Sequence, residues 1–222
     1  MQSSEIALLE NRENMYRLLA RLYRSEVDAG LLATLQTLTF PEKVENDLLS
    51  SGYRRFAEYL AEPGADPLTD LAVDYARVFL AAGVAKGVMA IPCESVYTSR
   101  EHLLMQDAWE AVRKIYAEHG IGKTVDDGLY EDHIALELDF MAHLTALAET
   151  AAKANDIRQL AELLAQARQF LKNHLLNWIA PFAADVRKTA TSSFYLALVD
   201  MTEGFLNIED ELLKTYTADY HA

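Results

Sequence analysis

The chain has one cysteine among its 222 residues, Cys93, and so cannot form an internal disulfide. Long apolar runs are missing too, since the stretch from Val78 to Ala85 is far shorter than the roughly 20 residues that cross a bilayer. The N-terminal residues lack the basic segment followed by an apolar segment that marks an export signal. We therefore expect a cytoplasmic protein with no stable membrane insertion.

Positive charge is scarce. Lys and Arg number 20 against 34 Asp and Glu, which gives a formal net charge of −14. Affinity for nucleic acid depends on neutralising phosphates with Lys and Arg, so we expect no nucleic-acid partner. The same excess favours a cationic partner such as a basic peptide, and salt should weaken that attraction.

Motifs for common cofactors are also missing. None of the six histidines follows an acidic residue by three positions, as the di-metal sites of helical bundles require. There is no cysteine pair for structural zinc, no HExxH, no P-loop and no dinucleotide-binding motif. Cys93 and His133 could form a nucleophile–base pair, but the sequence offers no orienting group or oxyanion donor for it. The sequence therefore predicts no metal and no cofactor.

Ala and Leu far outnumber the β-branched Val and Ile, which favours helix over strand, so we predict an all-α fold. Caps, breakers and apolar spacing predict helices over about 3–23, 30–38, 42–61, from Pro67, from about Arg100, and over 131–153, 156–187 and 191–216. Pro181 should kink or divide the helix over 156–187. Glycines near 120–130 predict a hinge between an N-terminal half, about 1–119, and a C-terminal half, about 131–222.

Two segments stand out as candidates for function. Residues 91–97 join a glycine-containing loop to a helix start, and they are either a simple connector or a binding element. Residues 126–139 hold six carboxylates and no Lys or Arg. His133 and Glu137 share a helix face at the core's edge and form an internal hydrogen bond there, or else Asp132 and His133 stand open at the helix start, where a ligand can reach them. The residues alone leave both pairs of alternatives open.

The motif Pro92-x-Glu94-Ser95-Val96-Tyr97, followed by the segment from Asp132 to Met141, resembles the TorD/DmsD family of redox-enzyme maturation chaperones. Three further segments are similar to that family, in the same order along residues 70–200: Asp74-Tyr75-x-Arg77-x-Phe79, Phe170-Leu171-x-x-His174-Leu175-x-x-Trp178 and Phe194-Tyr195-x-x-Leu198. One departure is the missing proline that often precedes the family's Asp-His pair, here Asp132-His133.

The resemblance implies one all-helical, non-enzymatic, cytoplasmic domain. Such chaperones bind the twin-arginine signal peptide and the apo form of a molybdopterin-dependent oxidoreductase of the dimethyl-sulfoxide-reductase type, assist cofactor insertion and delay export. Two alternatives are a chaperone for a non-exported molybdoenzyme and a weak GTP-hydrolysing protein. The resemblance also implies weak GTP binding, and either a monomer or a domain-swapped homodimer.

The resemblance carries a candidate peptide-binding site onto nine residues: Tyr75, Arg77, Phe79, Pro92, Glu94, Ser95, Tyr97, Asp132 and His133. An arginine-containing peptide needs acceptors, and we expect Glu94 and Asp132 to supply them through charge-assisted hydrogen bonds. We expect Ser95 and His133 to shape the pocket, and Glu137 to support His133.

The remaining candidates have apolar or supporting roles. Phe79, Pro92 and Tyr97 should form the wall of an apolar groove for the peptide. Arg77 should brace a carboxylate rather than face a cationic peptide. Three further aromatic residues are expected in the core: Trp178, Phe194 and Tyr195.

Overall fold

The computed structural model describes residues 3–82, 88–122 and 128–219, and the regular elements in these ranges are helices, as predicted. Its ten α-helices are α1 Ser3–Arg24, α2 Ala29–Leu35, α3 Asp47–Ala61, α4 Pro67–Phe79, α5 Glu94–Thr98, α6 Asp107–Glu118, α7 Ile134–Lys153, α8 Ile157–Phe170, α9 Ile179–Thr189 and α10 Ser193–Asp219. A π-helical turn, Leu171–Leu175, continues α8. Within these ranges no helix has the length and apolar character needed to cross a bilayer.

Side-chain caps fix where several helices begin. Asn46 accepts a hydrogen bond from the Leu49 amide at 3.0 Å, and Asp156 accepts one from the Gln159 amide at 3.0 Å. Each cap satisfies an amide that has no partner within its own helix. The predicted cap at Asp156 is confirmed.

The helix predicted from about Arg100 begins later, at Asp107, and the short α5 precedes it. Between them, His102 and Met105 adopt left-handed backbone conformations, with φ of 54° and 57°. The Ser95 hydroxyl accepts a hydrogen bond from the Gln106 amide at 3.1 Å and holds the end of this loop. Neither left-handed residue is a glycine, so no residue type marks this break between the helices.

The helix predicted over 156–187 is divided, but the division does not fall at Pro181. The π-helical turn and the following turn, residues 176–178, separate α8 from α9. Pro181 lies in the first turn of α9, where an amide would have no partner within the helix, so its missing N–H costs little.

The described residues form two compact units, and the chain passes between them at four places: within α1, before Cys93, after Trp178 and within α10. One unit, called unit 1 here, takes its residues from Met1–Arg21, Cys93–Trp178 and Glu209–Ala222. The other, unit 2, takes its residues from Leu22–Pro92 and Ile179–Ile208. The two halves joined by a hinge near 120–130 stay a prediction, and residues 123–127 of that hinge lie outside the described residues.

The core of unit 1 lies where α7 packs against α8. Ile134, Leu138 and Met141 on α7 are fully buried. The Phe140 ring lies 5.0 Å from the Tyr116 ring of α6 and 4.6 Å from the Phe170 ring of α8, measured between centroids. This aromatic contact joins α6, α7 and α8 in the core of the unit.

In unit 2, α3 and α10 approach closely because two glycines lie at their contact. A methyl group on Gly204 would lie 2.5 Å from the Leu49 backbone nitrogen. One on Gly52 would lie 2.8 Å from the Met201 nitrogen. Both distances are too short for a real contact, so the packing of these helices depends on the absence of side chains there.

Candidate functional site

Residues 93–97 of the first segment predicted to carry function lie in unit 1 next to Asp132 and His133 of the second, whose residues 126–127 lie outside the described residues. Cys93 and His133 form an antiparallel backbone bridge, and the Glu94 amide donates to the Asp132 carbonyl at 2.9 Å. The Asp132 carboxylate accepts a hydrogen bond from the Ser95 amide at 2.8 Å. Asp132, which is fully buried, therefore fixes the start of α5 against the start of α7.

Glu94 connects this junction to the π-helical turn. Its carboxylate accepts hydrogen bonds from His174 Nδ1 at 2.9 Å and from Asn177 Nδ2 at 2.8 Å, and only 2% of the residue is exposed. Both donors follow α8, where the wider π winding resets the helix register. We did not predict either as a site residue, although His174 belongs to a motif shared with the family.

Glu137 is fully buried beside Glu94, and one of its oxygens accepts a hydrogen bond from the Trp178 indole at 3.1 Å. Burial, the negative charges of Glu94 and Asp132 and a hydrogen bond to Glu94 raise the pKa of Glu137 well above its usual range. These effects favour the protonated form of Glu137. The other oxygen, Oε1, accepts no N–H or O–H hydrogen bond in the described part of the chain.

These contacts show where the predicted acidic residues lie, while their roles toward a peptide stay predictions. Glu94 and Asp132 were expected to face an arginine, but both are buried and hold partners inside unit 1. Glu137 was expected to support His133, but its carboxyl bonds to Trp178 instead. The His133 ring caps α7, since its Nδ1 accepts a hydrogen bond from the Ala135 amide at 3.1 Å.

The remaining residues of this cluster are an aromatic residue and a thiol. Tyr97, expected in the groove wall, stacks on Trp178 with 5.6 Å between ring centroids, and Trp178 is fully buried, as predicted. Burial and the nearby Asp132 and Glu137 raise the pKa of the buried Cys93 thiol, which keeps it protonated and unreactive. The described residues contain no group of three or more side chains placed to hold a metal ion.

The motif residues of α4 belong to unit 2, where Asp74 is a structural anchor. It accepts hydrogen bonds from the Thr191 amide at 3.1 Å and the Ser192 amide at 2.8 Å, directly before α10. Arg77 donates to Asp74 at 2.6 Å, which confirms that this arginine braces a carboxylate. Asp74 thus fixes the start of α10 against α4.

Tyr75 and Phe79 lie in the aromatic core of unit 2. The Tyr75 hydroxyl donates to the Tyr23 carbonyl at 2.9 Å, and the Phe79 ring lies 5.5 Å from the Tyr195 ring. Phe194 and Tyr195 are fully buried, as predicted. Phe79 and Pro92, expected to line a groove, are also buried. The motif residues of unit 2 therefore stabilise its core.

Comparison with known proteins identifies the family. The family model described as nitrate reductase delta subunit matches residues 46–184, more than half of the chain. The chaperone protein TorD of Vibrio cholerae (strain O395) is 28% identical over 230 residues, which cover 100% of both chains. TorD of Vibrio parahaemolyticus is 24% identical over 218 residues, which cover 93% of this chain and 96% of that one.

A solved structure shares the fold. A chain from Archaeoglobus fulgidus, described as a redox enzyme maturation protein, matches with a TM-score of 0.51 and 16% identity, over 91% of this chain and 93% of that one. The curated relatives that match over the full length are chaperones and not enzymes. These matches confirm the resemblance seen in the motifs. The chain belongs to the TorD/DmsD family of redox-enzyme maturation chaperones.

Proposed function

We propose that this chaperone binds the twin-arginine signal peptide and the apo form of a molybdopterin-dependent oxidoreductase of the dimethyl-sulfoxide-reductase type. In the cytoplasm it would assist cofactor insertion and delay export of the enzyme. The observation that carries this proposal is the similarity to TorD chaperones along the whole chain. The five family motifs, found in the same order, support it.

The charge of the chain agrees with such a partner. A twin-arginine signal peptide has a basic segment followed by an apolar segment, and the chaperone carries a net charge of −14. Attraction between opposite net charges speeds the encounter of the two molecules, and added salt weakens this attraction. A preference for arginine over lysine would need carboxylates oriented for two-pronged hydrogen bonds, because only the planar guanidinium offers that geometry.

In this proposal the motif residues act mainly by fixing the framework around the peptide. Glu94, Ser95 and Asp132 join α5 to α7 and to the π-helical turn, and all three are buried. Their substitution would change peptide affinity through the positions of these elements. Direct acceptors for arginine must be carboxylates that a partner can reach.

The proposal is tested with the client enzyme in three forms: the apo precursor, the apo enzyme without its leader, and the cofactor-loaded enzyme. Calorimetry should show the tightest binding to the apo precursor and the weakest binding to the loaded enzyme. Equal affinity for all three forms would contradict a maturation role. Undiminished binding to the leaderless apo enzyme would instead favour the chaperone of a non-exported enzyme.

A further inference from the structure

A cavity of about 470 Å³ lies in unit 1 between α6 and α7. Its volume falls within the range of about 300–1,000 Å³ that is typical of ligand sites in proteins. Apolar side chains form most of its wall, among them Ile121, Leu136 and Phe140. The cavity is separate from the buried carboxylate cluster, whose residues Glu94, Asp132 and Glu137 do not line it.

Two carboxylates, Glu131 and Asp139, also line this cavity. Both are half-buried, whereas Asp132 and Glu137 of the same acidic segment are fully buried. The carboxylates of the acidic segment recognised in the sequence therefore point to two different surroundings. Part of it builds the core of unit 1, and part of it is open to the cavity, where an incoming group can reach it.

The surroundings of Glu131 fix its orientation. The Trp109 indole donates a hydrogen bond to the Glu131 carboxylate. The Arg113 guanidinium lies over the same indole, 4.7 Å from the ring centroid, in a cation–π contact. Trp109 thus holds one carboxylate and one guanidinium of the cavity wall in place, while Asp139 adds a second carboxylate from α7.

The charge of the wall favours a cation beside an apolar group. Leu136, Asp139, Phe140 and His143 follow the spacing i, i+3, i+4 and i+7, so they share one face of α7. Burial and the nearby His119 and Arg17 lower the pKa of His143, which keeps its ring neutral at neutral pH. Among the described residues that line the cavity, Glu131 and Asp139 are acidic and Arg113 is basic, and carboxylates partly withdrawn from water bind cationic donors strongly.

We propose that this cavity binds the part of the signal peptide where an arginine adjoins apolar residues. Glu131 and Asp139 accept hydrogen bonds from the guanidinium, and Leu136 and Phe140 contact the neighbouring apolar side chain. The inference rests on the proposed function, which it deepens by naming the acceptors that Glu94 and Asp132 do not provide.

The first test fills the cavity. Ala117 lines it from the exposed side of α6, so Ala117→Leu should reduce its volume with little effect on folding. Ala111→Leu is the matched control, because Ala111 is exposed on the same helix but does not line the cavity. Calorimetry with a twin-arginine peptide should show about a tenfold loss of affinity for Ala117→Leu and none for the control.

The second test removes the charges. The double variant Glu131→Gln and Asp139→Asn should bind the twin-arginine peptide about tenfold or more weakly, because charge-assisted hydrogen bonds become neutral ones. Its preference for the arginine peptide over a twin-lysine peptide should shrink as well. Glu110→Gln, an exposed change on α6 outside the cavity, should keep both affinities. Circular dichroism checks that each variant is folded.

The results of these tests distinguish a wrong binding site from a wrong function. If wild type binds the arginine peptide, and the folded Ala117→Leu and double variants bind it equally well, the cavity is not the site and the proposed function stands. If wild type binds no leader, the proposed function fails and this inference fails with it. Weaker binding by both cavity variants, with both controls unchanged, supports the inference.

Discussion

Two buried glutamates in contact, Glu94 and Glu137, should respond in opposite ways to the same substitution. The Glu94 carboxylate accepts from His174 at 2.9 Å and from Asn177 at 2.8 Å. Glu94→Gln replaces one acceptor oxygen with an amide donor that faces another donor. Hydrogen bonds to charged groups contribute about 1.5–3 kcal/mol, so we expect Glu94→Gln to lower the free energy of unfolding by about that amount.

Glu137→Gln should be neutral or stabilising at neutral pH. Its raised pKa means that folding holds a proton which the unfolded chain releases above about pH 4.5. The stability contributed by this proton is complete below the unfolded pKa and is lost as pH rises through the folded pKa. A glutamine resembles the protonated acid, and its oxygen can still accept from Trp178, so the variant gains on wild type as pH rises.

The assay is urea unfolding of wild type and both variants between pH 5 and pH 8, followed by circular dichroism. Glu42→Gln, a change at an exposed position, is the control and should follow wild type at every pH. We expect a difference in unfolding free energy between Glu137→Gln and wild type that grows with pH. If Glu137→Gln is as destabilised as Glu94→Gln, or its difference from wild type does not change with pH, Glu137 is ionised and the account of the pair is refuted.

Three further predictions concern the frame of the protein. Glu209→Gln leaves the buried Arg12 guanidinium without its carboxylate, now 2.7 Å away, and should cost about 3–5 kcal/mol of unfolding free energy; a loss below about 1 kcal/mol would contradict this. Gly204→Ala should destabilise by about 1–3 kcal/mol in urea titrations, whereas Gly122→Ala, whose new methyl group meets nothing within 4 Å, should not. Cys93 is buried and should react with a thiol reagent only after denaturation, so rapid labelling of the native protein would contradict its burial.

Local signals predicted the helices well wherever caps and breakers set their ends. Pro67 and Asp156 mark two helix starts that the structure confirms. The loop before α6 could not be predicted, because His102 and Met105 take left-handed conformations that residues other than glycine rarely adopt. The position of the π-helical turn likewise depends on long-range contacts, such as that of His174 with Glu94.

The resemblance identified the residues of the candidate site, but their roles depended on burial that the sequence does not reveal. Glu94 and Asp132 were expected to accept hydrogen bonds from an arginine of the peptide, although carboxylates in proteins are mostly exposed and these two are buried. The structure instead buries them in one cluster with Glu137 and leaves Glu131 and Asp139 facing a cavity. The run of carboxylates located the acidic segment in the sequence. Which of its carboxylates are buried and which face the cavity depends on the packing of α6 and α7.

Recognition of a twin-arginine leader can be measured by calorimetry on the unmodified chain. A twin-arginine leader from a molybdoenzyme and its twin-lysine counterpart are each titrated at low and at high salt. The account predicts tighter binding of the arginine peptide, with an affinity that falls as salt increases. Equal affinity for the two peptides, or no binding of either, would contradict it.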